Sequence, residues 1–513
     1  MRLMSSALQL RRTGTSRRTL AGTATALAAL ALSAGLAAPV QAQTHPARPG
    51  AGQSLPGLPV GGLPVGGRSL PGLPGLPGLP VRGLPVRGLP IGGLPVGGPP
   101  AVGRPVLLQP SGQVPARRPA RGTPAFPPGT SSVEQVRQLV QCGSQMYAVG
   151  QFSQVNWHGR TFTRNNAFSF QATAPFTMSS WNPDVNGEVN SIAFSGGCGS
   201  AFLGGSFSSV HGTKAANIAK VSASTGRVVT RFGHRAGAPV LSLAASHGHL
   251  LAGGQFKSVN GSADSYLASL SPVTGRDDGF ARLDISGDYG DGRTKIYNQQ
   301  VSHDGRMELA EGTFTSVGGQ HRQQIVMLRL TGRHVTVTDW TSPEFFSFCQ
   351  PQERFWLRSA AWSPDDRTVY VATTGFRPEF GPPNSALCDA AAAFPARHMS
   401  VRHTWINYTG CDSLFSTAAS SRVAFFAGHE RWADNRFGCN FPGPRAVDAP
   451  GMVGLSPRDG EVVYNPTRSR GLGADDMLVT RAGLWIASDN ANRSTSCGRS
   501  GGHAGICFLP FRR

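Results

Sequence analysis

The sequence predicts an all-β chain: a seven-bladed β-propeller preceded by a signal peptide and a disordered Pro/Gly-rich segment. Three observations carry that expectation. One phrase recurs at intervals of roughly fifty residues: "YAVGQFSQVNWHG" at 147–159, "FLGGSFSSVHG" at 202–212, "LAGGQFKSVNG" at 251–261 and "LAEGTFTSVGG" at 309–319. The marker Phe falls at Phe152, Phe207, Phe256, Phe314 and Phe376, and looser copies put Glu430 and Asn490 there, at steps of 55, 49, 58, 62, 54 and 60. Between markers, short alternating apolar runs are separated by Gly and Asn, and an aromatic closes the last run at Trp181, Phe232, Phe280, Trp340, Trp405 and Tyr464. Such a period calls for a repeat fold. Four short strands per copy, with no predicted helix, call for a propeller.

The chain opens with Arg2, Arg11, Arg12, Arg17 and Arg18, an Ala/Leu-rich run and "PVQA" at 39–42. This predicts a signal peptide over 1–42, cleaved after Ala42. "SRRTLAG" at 16–22 fits a twin-arginine route, and a general secretory signal is the alternative. Residues 43–116 are a Leu/Pro/Val/Gly spacer. Its prolines deny helix and ladder donors and its glycines raise the entropy of ordering, so it is expected to stay disordered. The formal charge is +20, but residues 1–130 hold thirteen Arg and no Asp, Glu or Lys, which leaves +7 for the remainder. The basic character therefore belongs to the extension, and no specific nucleic-acid interface is expected in the folded part. No run after the signal suits a membrane span.

The propeller is expected over 117–513. The paired Gly is read as a sharp turn beside a neighbouring blade, the Phe two residues on as inter-blade packing, and Gly212, Gly261 and Gly319 as positive-φ turn residues. "GGSFSSVHG", "GGQFKSVNG" and "ANIAKVSASTG", with the later "WINYTGCDSLFSTAASSRVAFFAGHERWADN" and "YNPTRSRG", resemble the delta-60 repeat of secreted actinobacterial β-propeller proteins. The resemblance spans about 131–513 and implies a secreted propeller without an assigned activity.

Blade seven reaches the end of the sequence without a fourth run. The spacing of Phe126 before blade one matches that of Trp181 before blade two, so residues near 117–126 are expected to form the outer strand of blade seven. The competing view leaves them in the tail. The eight cysteines number an even set in an exported chain, which favours disulfides. The blade register pairs Cys142 with Cys198, Cys349 with Cys388, Cys411 with Cys439 and Cys497 with Cys507.

Function concentrates in long loops on a rigid scaffold. The irregular segments 341–357, 375–388, 406–412 and 428–446 all fall on the face shared by the strand 2–3 loops and the blade-to-blade loops. Trp405, Asn407, Asp412, His429, Arg431, Trp432, Asn435, Asp489 and Asn490 gather there by register, a set suited to stacking and hydrogen-bonding a sugar or polar polymer. The plainer reading makes Arg431 and Trp432 blade packing. The expected function is a secreted or cell-envelope binding module for a polysaccharide or protein partner. The alternative is a carbohydrate-active hydrolase or lyase that uses Glu430, Asp412 and Asp489. "LDISGDYGDG" at 283–292 spaces Asp284, Ser286, Asp288 and Asp291 somewhat like a calcium loop but lacks its Gly and final Glu, so a Gly/Asp turn is the expectation. No cofactor motif or metal-ligand spacing stands out.

Overall fold

The computed structural model describes residues 114–127, 134–290, 292–349, 352–375, 379–397, 399–466, 473–489, 497 and 503–512. The signal peptide, nearly all of the spacer, Phe376, Asn490 and Asp291 lie outside them. Seven main antiparallel sheets follow one another along the chain. Their first strands are Gln135–Cys142, Glu188–Phe194, Val240–Ser246, Ile296–Val301, Trp356–Trp362, Leu414–Ala419 and Ala474–Val479. Each first strand packs beside the next, and the last packs beside the first, so the sheets are blades around an axis. The fold is a β-propeller.

Blades four, five and six carry four strands. In blades one to three the fourth run shrinks to the single bridges Phe170–Met178, Val221–Val228 and Leu270–Asp277. There the chain leaves the ladder early and turns its closing aromatic into the seam. The Gly-rich stretch after strand two is not a plain loop either. In blade one it forms a small hairpin, Gln154–Trp157 with Arg160–Thr163. One turn of 3-10 helix, Pro343–Phe346, stands where no helix was expected; Ser342 caps it by accepting the Glu344 amide.

The core is divided among the seams. Seven apolar clusters each join two neighbouring blades, and each contains one closing aromatic: Trp181, Phe232, Phe280, Trp340, Trp405, Tyr464 and Phe126. The indole nitrogens of Trp181, Trp340 and Trp405 donate to Ser222, Pro395 and Pro457 carbonyls of the following blade at 3.0, 2.9 and 3.0 Å. Each ring thus buries its body and satisfies its polar tip in one place. Phe152, Phe207, Phe256 and Phe314 are buried in the same seams, as their spacing predicts.

The second Gly of the phrase has a different role from the expected turn. In every first strand the register slips by one residue at the same place, a β-bulge. Just before the slip the first strand closes on the end of the second. A Cβ on Gly254 would lie 2.3 Å from the Pro239 carbonyl oxygen, and Gly150, Gly205, Gly312 and Gly428 face the same approach. In these five blades proximity, not a turn, selects Gly; blades five and seven carry Thr373 and Ser488 at the same place in the register. Gly212, Gly261 and Gly319 do hold positive φ, at 73°, 97° and 74°.

The N-terminal segment fastens the ring where expected, but not as a regular strand. Pro115 bridges Phe511, the Ala116 amide donates to Pro510 at 2.7 Å, and the Ala120 amide donates to Phe508 at 2.8 Å. Further along, the Phe126 amide donates to Ala504 at 3.0 Å. Val114–Ala116, assigned above to the spacer, therefore belongs with the propeller. Pro115, Pro119 and Pro124 remove ladder donors, so only scattered bonds form. Phe126 nonetheless fills the seam between blades seven and one, 5.7 Å from Phe152 centroid to centroid.

All four disulfides form as paired above, with Cα–Cα distances of 5.7, 5.7, 4.7 and 5.8 Å. No free cysteine stands among the described residues. This set fits an oxidising, extracellular environment. No described helix is long and apolar enough to cross a membrane.

Two stability outcomes are expected. A chain starting at Gly112 should melt like the full chain, whereas one starting at Thr130 should lose roughly 5 °C or more, since Phe126 alone is worth about 1.5–3 kcal/mol buried. Equal melting curves would refute the closure. Gly254→Ala should cost about 2–4 kcal/mol in denaturant titrations, through forced displacement of the first strand. A neutral result would show that the bulge can relax.

Candidate functional site at the axial mouth and the blade six loop

The seven bulges leave seven residues unpaired: Arg137, Asn190, Leu241, Tyr297, Arg358, Phe415 and Asp475. A bulge re-aims its extra side chain. The residue before each one is buried, while each of the seven is at least partly exposed. They sit near the start of the innermost strands, so they ring the axial opening on the face where the strand 2–3 loops begin. Sequence inspection missed this ring. Its signal was an apolar–x–polar phrase in every copy, "VRQ", "VNS", "VLS", "IYN", "LRS", "LFS" and "ADD", which breaks the alternation of a regular strand.

The ring carries mixed charge. Arg137 donates to Glu188 at 2.8 Å and to Asp475 at 3.3 Å, joining blades seven, one and two. Burial still raises the Asp475 carboxyl, against the pull of Arg137 and Arg358. Arg358 lies 5.4 Å from the Phe415 ring centre, and Phe415 meets His429 edge to face at 5.1 Å. Lys295 is held below the usual lysine range by burial and by the Arg358 charge.

The blade six loop brings some of the expected residues together. Asp412 accepts from Arg431 through a fork: Nε to Oδ2 at 2.8 Å and Nη2 to Oδ1 at 2.9 Å, with the Arg431 amide at 3.0 Å. Arg431 also donates to Asn440 at 2.8 Å and lies 4.6 Å over the Trp432 ring. Trp432 pairs with Asp448 in a small hairpin. Cys411–Cys439 clamps the loop to the blade entry. Around it, Phe380, Phe437 and Phe441 are 89%, 51% and 40% exposed, and Phe380 stacks on Phe441 at 6.3 Å.

Other expected residues have structural work instead. Trp405 is buried between blades five and six against the turn at Gly460, away from the loop. Asn435 is buried and accepts the Gly443 amide at 2.7 Å, acting as a strut within the loop. Asn407 holds Asp434, donating at 2.6 Å. Asp489 is buried at the seam of blades seven and one, bridged to Gln135. Glu430 is fully buried. In the 283–292 stretch, expected to be a Gly/Asp turn, Ile285–Asp288 instead forms a short strand paired with Phe314–Val317, and Asp288 at its end accepts the Thr294 amide and hydroxyl, each at 2.7 Å. Among the described residues no three His, Cys, Asp or Glu stand close enough to hold a metal ion.

Buried carboxyls form a second feature the sequence did not signal. Glu311 stands where other copies have the first Gly; it accepts the Ala360 amide of blade five and the Asn298 amide group at 3.2 Å. Glu308 accepts from Gln299 at 2.9 Å. Burial pushes both carboxyls up to about 8. Burial likewise raises Asp389, beside Asp412, to about 8, and Asp476 to about 6.

No protein-family model matches the chain, and no curated protein matches it. Among solved structures it is similar to the WD40 β-propeller domain of Doa1, at 11% identity and a TM-score of 0.38, over 76% of this chain and 95% of that one.

The raised carboxyls set the pH dependence of stability. Each binds its proton more tightly folded than unfolded, where Glu titrates near 4.5, so their contribution is complete below that value and is lost as pH rises towards about 8. The thermal midpoint should therefore fall between pH 5 and 8. The double variant Glu308→Gln/Glu311→Gln should shrink that fall by roughly 5 °C. An unchanged slope would show that these groups are ionised at neutral pH.

Proposed function

We propose that the chain is a secreted binding module of the cell envelope, of the delta-60 repeat kind, that holds a glycan or other wall polymer at the loops of blades five and six. The observation that carries this reading is the disulfide-clamped blade six loop, where Arg431 is fixed by Asp412 and Asn440 and in turn covers Trp432. An indole held in one plane beside fixed polar groups suits a sugar ring, and the exposed phenylalanines nearby extend the apolar contact. In this reading 1–42 exports the chain and 43–113 spaces the propeller from its point of attachment or release.

Binding is favoured over hydrolysis by the state of the carboxylates. Both Asp412 oxygens are engaged by Arg431, and Glu430 and Asp489 are buried. A glycosidase needs two carboxyls facing one open bond.

The test is a glycan and wall-polymer binding screen of the full chain, repeated with Trp432→Ala. Binding of any polymer found should weaken about tenfold or more while the thermal midpoint stays within a few degrees, as expected for loss of a desolvated aromatic anchor. Should Trp432→Ala instead unfold the domain, Trp432 is a packing residue and the site assignment falls.

A further inference from the structure

A groove of about 830 Å³ lies at the outer edge of the seam between blades two and three. The turn that leaves blade two, at 230–235, forms one wall; the other walls are Lys214 and the turns of blade three at Asn260 and at 274–276. Its lining carries Lys214, Arg231, His234, Arg235 and Arg276, and no acidic side chain. Those four Lys and Arg side chains make no ion pair among the described residues. The cations are also segregated rather than scattered. The groove at the next seam, between blades three and four, is lined by Asp264, Asp277 and Asp284 with one Arg282.

The groove is built, not a chance gap between solvated side chains. Asn260 spans it, accepting the Arg235 amide at 2.8 Å and donating to the Gly233 and Gly275 carbonyls at 3.1 and 2.6 Å. The Gly233 amide donates to Thr274 at 2.8 Å, closing the floor. A Cβ on Gly233 would meet the Asn260 side chain at 2.7 Å, so the wall tolerates nothing larger. Lys220 steadies the turn beside it by donating to Pro272 at 2.7 Å. Like charges brought together on a fixed frame without counter-ions repel one another, and an anionic ligand relieves that repulsion.

We propose that this groove binds an anionic sugar polymer, with carboxylate or phosphate groups held by Arg231, Arg235, Arg276 and Lys214. Arg presents a planar fork that matches either anion. Thr230 and Thr274 supply hydroxyl partners for sugar hydroxyls. A single-stranded nucleic acid fits less well, since it wants an exposed aromatic platform and Phe232 in this wall is buried. The inference does not rest on the blade six site.

The test is calorimetric titration of the full chain with oligogalacturonate, a glycerol-phosphate oligomer, a neutral cello-oligosaccharide and a single-stranded DNA oligomer. At about 50 mM salt at least one acidic sugar or polyol oligomer should bind, and binding should collapse at high salt. Arg231→Gln/Arg276→Gln should weaken it about tenfold or more with an unchanged melting curve, since both side chains are exposed. Whichever acidic arm binds tighter identifies the anion. Trp432→Ala should leave this binding intact, which separates it from any neutral glycan held by blade six. The inference is overturned by an absence of binding to both acidic oligomers, by binding that the double variant does not weaken, or by equal affinity for DNA.

Discussion

One irregularity, repeated in every blade, organises this ring: the first strand slips by a single residue near its start. Inner strands of neighbouring blades splay around an axis and cannot form a ladder with each other, so their facing amides need other partners. The slip supplies them. It turns the residue after the bulge towards the next blade, where Gln138, Ser191 and Ser359 accept the amides of Ile192, Leu243 and Thr417 at 2.7, 3.0 and 3.2 Å. Asp476 accepts the Leu139 amide at 3.0 Å, so the same device closes the ring. Ser242 and Ser416 cross their seams as donors, to Gln299 and to the Ala474 carbonyl. At the remaining seam Glu311 reaches over from the second strand to the Ala360 amide. The slip also presses the first strand against the second, closely enough in five blades that only Gly fits there, and frees one side chain per blade for the axial mouth.

Polar bridges fix the blades near the axis, and aromatics fix them further out. The two systems deal with different costs. A buried amide without a partner loses about 1–3 kcal/mol, so the inner bridges are obligatory. The aromatics contribute burial, and the indole nitrogens of Trp181, Trp340 and Trp405 add a bond to the next blade. The N-terminal segment joins the second system at two points. It provides Phe126 and accepts the Tyr464 hydroxyl at the Ala116 carbonyl, 2.6 Å away, so one short stretch serves two seams.

Most of this architecture was legible because it follows from spacing. The period, the seam aromatics and the disulfide pairs are positions along a repeat, and Phe126 was found by the same count. What the sequence concealed depends on orientation. Gly254 reads as a turn residue until the Pro239 carbonyl is seen beside it. Trp405 looked available because Trp is a common sugar platform, yet it holds the same seam position as Trp181 and Trp340. Arg276 sits some forty residues beyond Arg231 and Arg235, and all three looked like ordinary solvated charge; the Asn260 crossbrace makes them neighbours. Glu308 and Glu311 were invisible for the opposite reason: nothing in a strand phrase announces that a carboxyl faces a seam rather than water.

The disulfides explain why the later blades could depart from the repeat at all. In blades two to four the Gly-Phe phrase anchors the strand 2–3 loop by burying Phe207, Phe256 or Phe314 in a seam. Blade five replaces the paired Gly with Thr373 and Thr374, and blade six replaces the anchor Phe with Glu430. These are the blades in which Cys349–Cys388 and Cys411–Cys439 tie the strand 2–3 loop to the segment entering the blade. Cys497–Cys507 pins the corresponding loop of blade seven to its third strand. A covalent tie, worth about 2–4 kcal/mol, does the work of the buried ring, worth about 1.5–3 kcal/mol. The loop sequence is thereby released from packing, and residues such as Arg431, Trp432, Phe437 and Phe441 can face outward without loosening the blade.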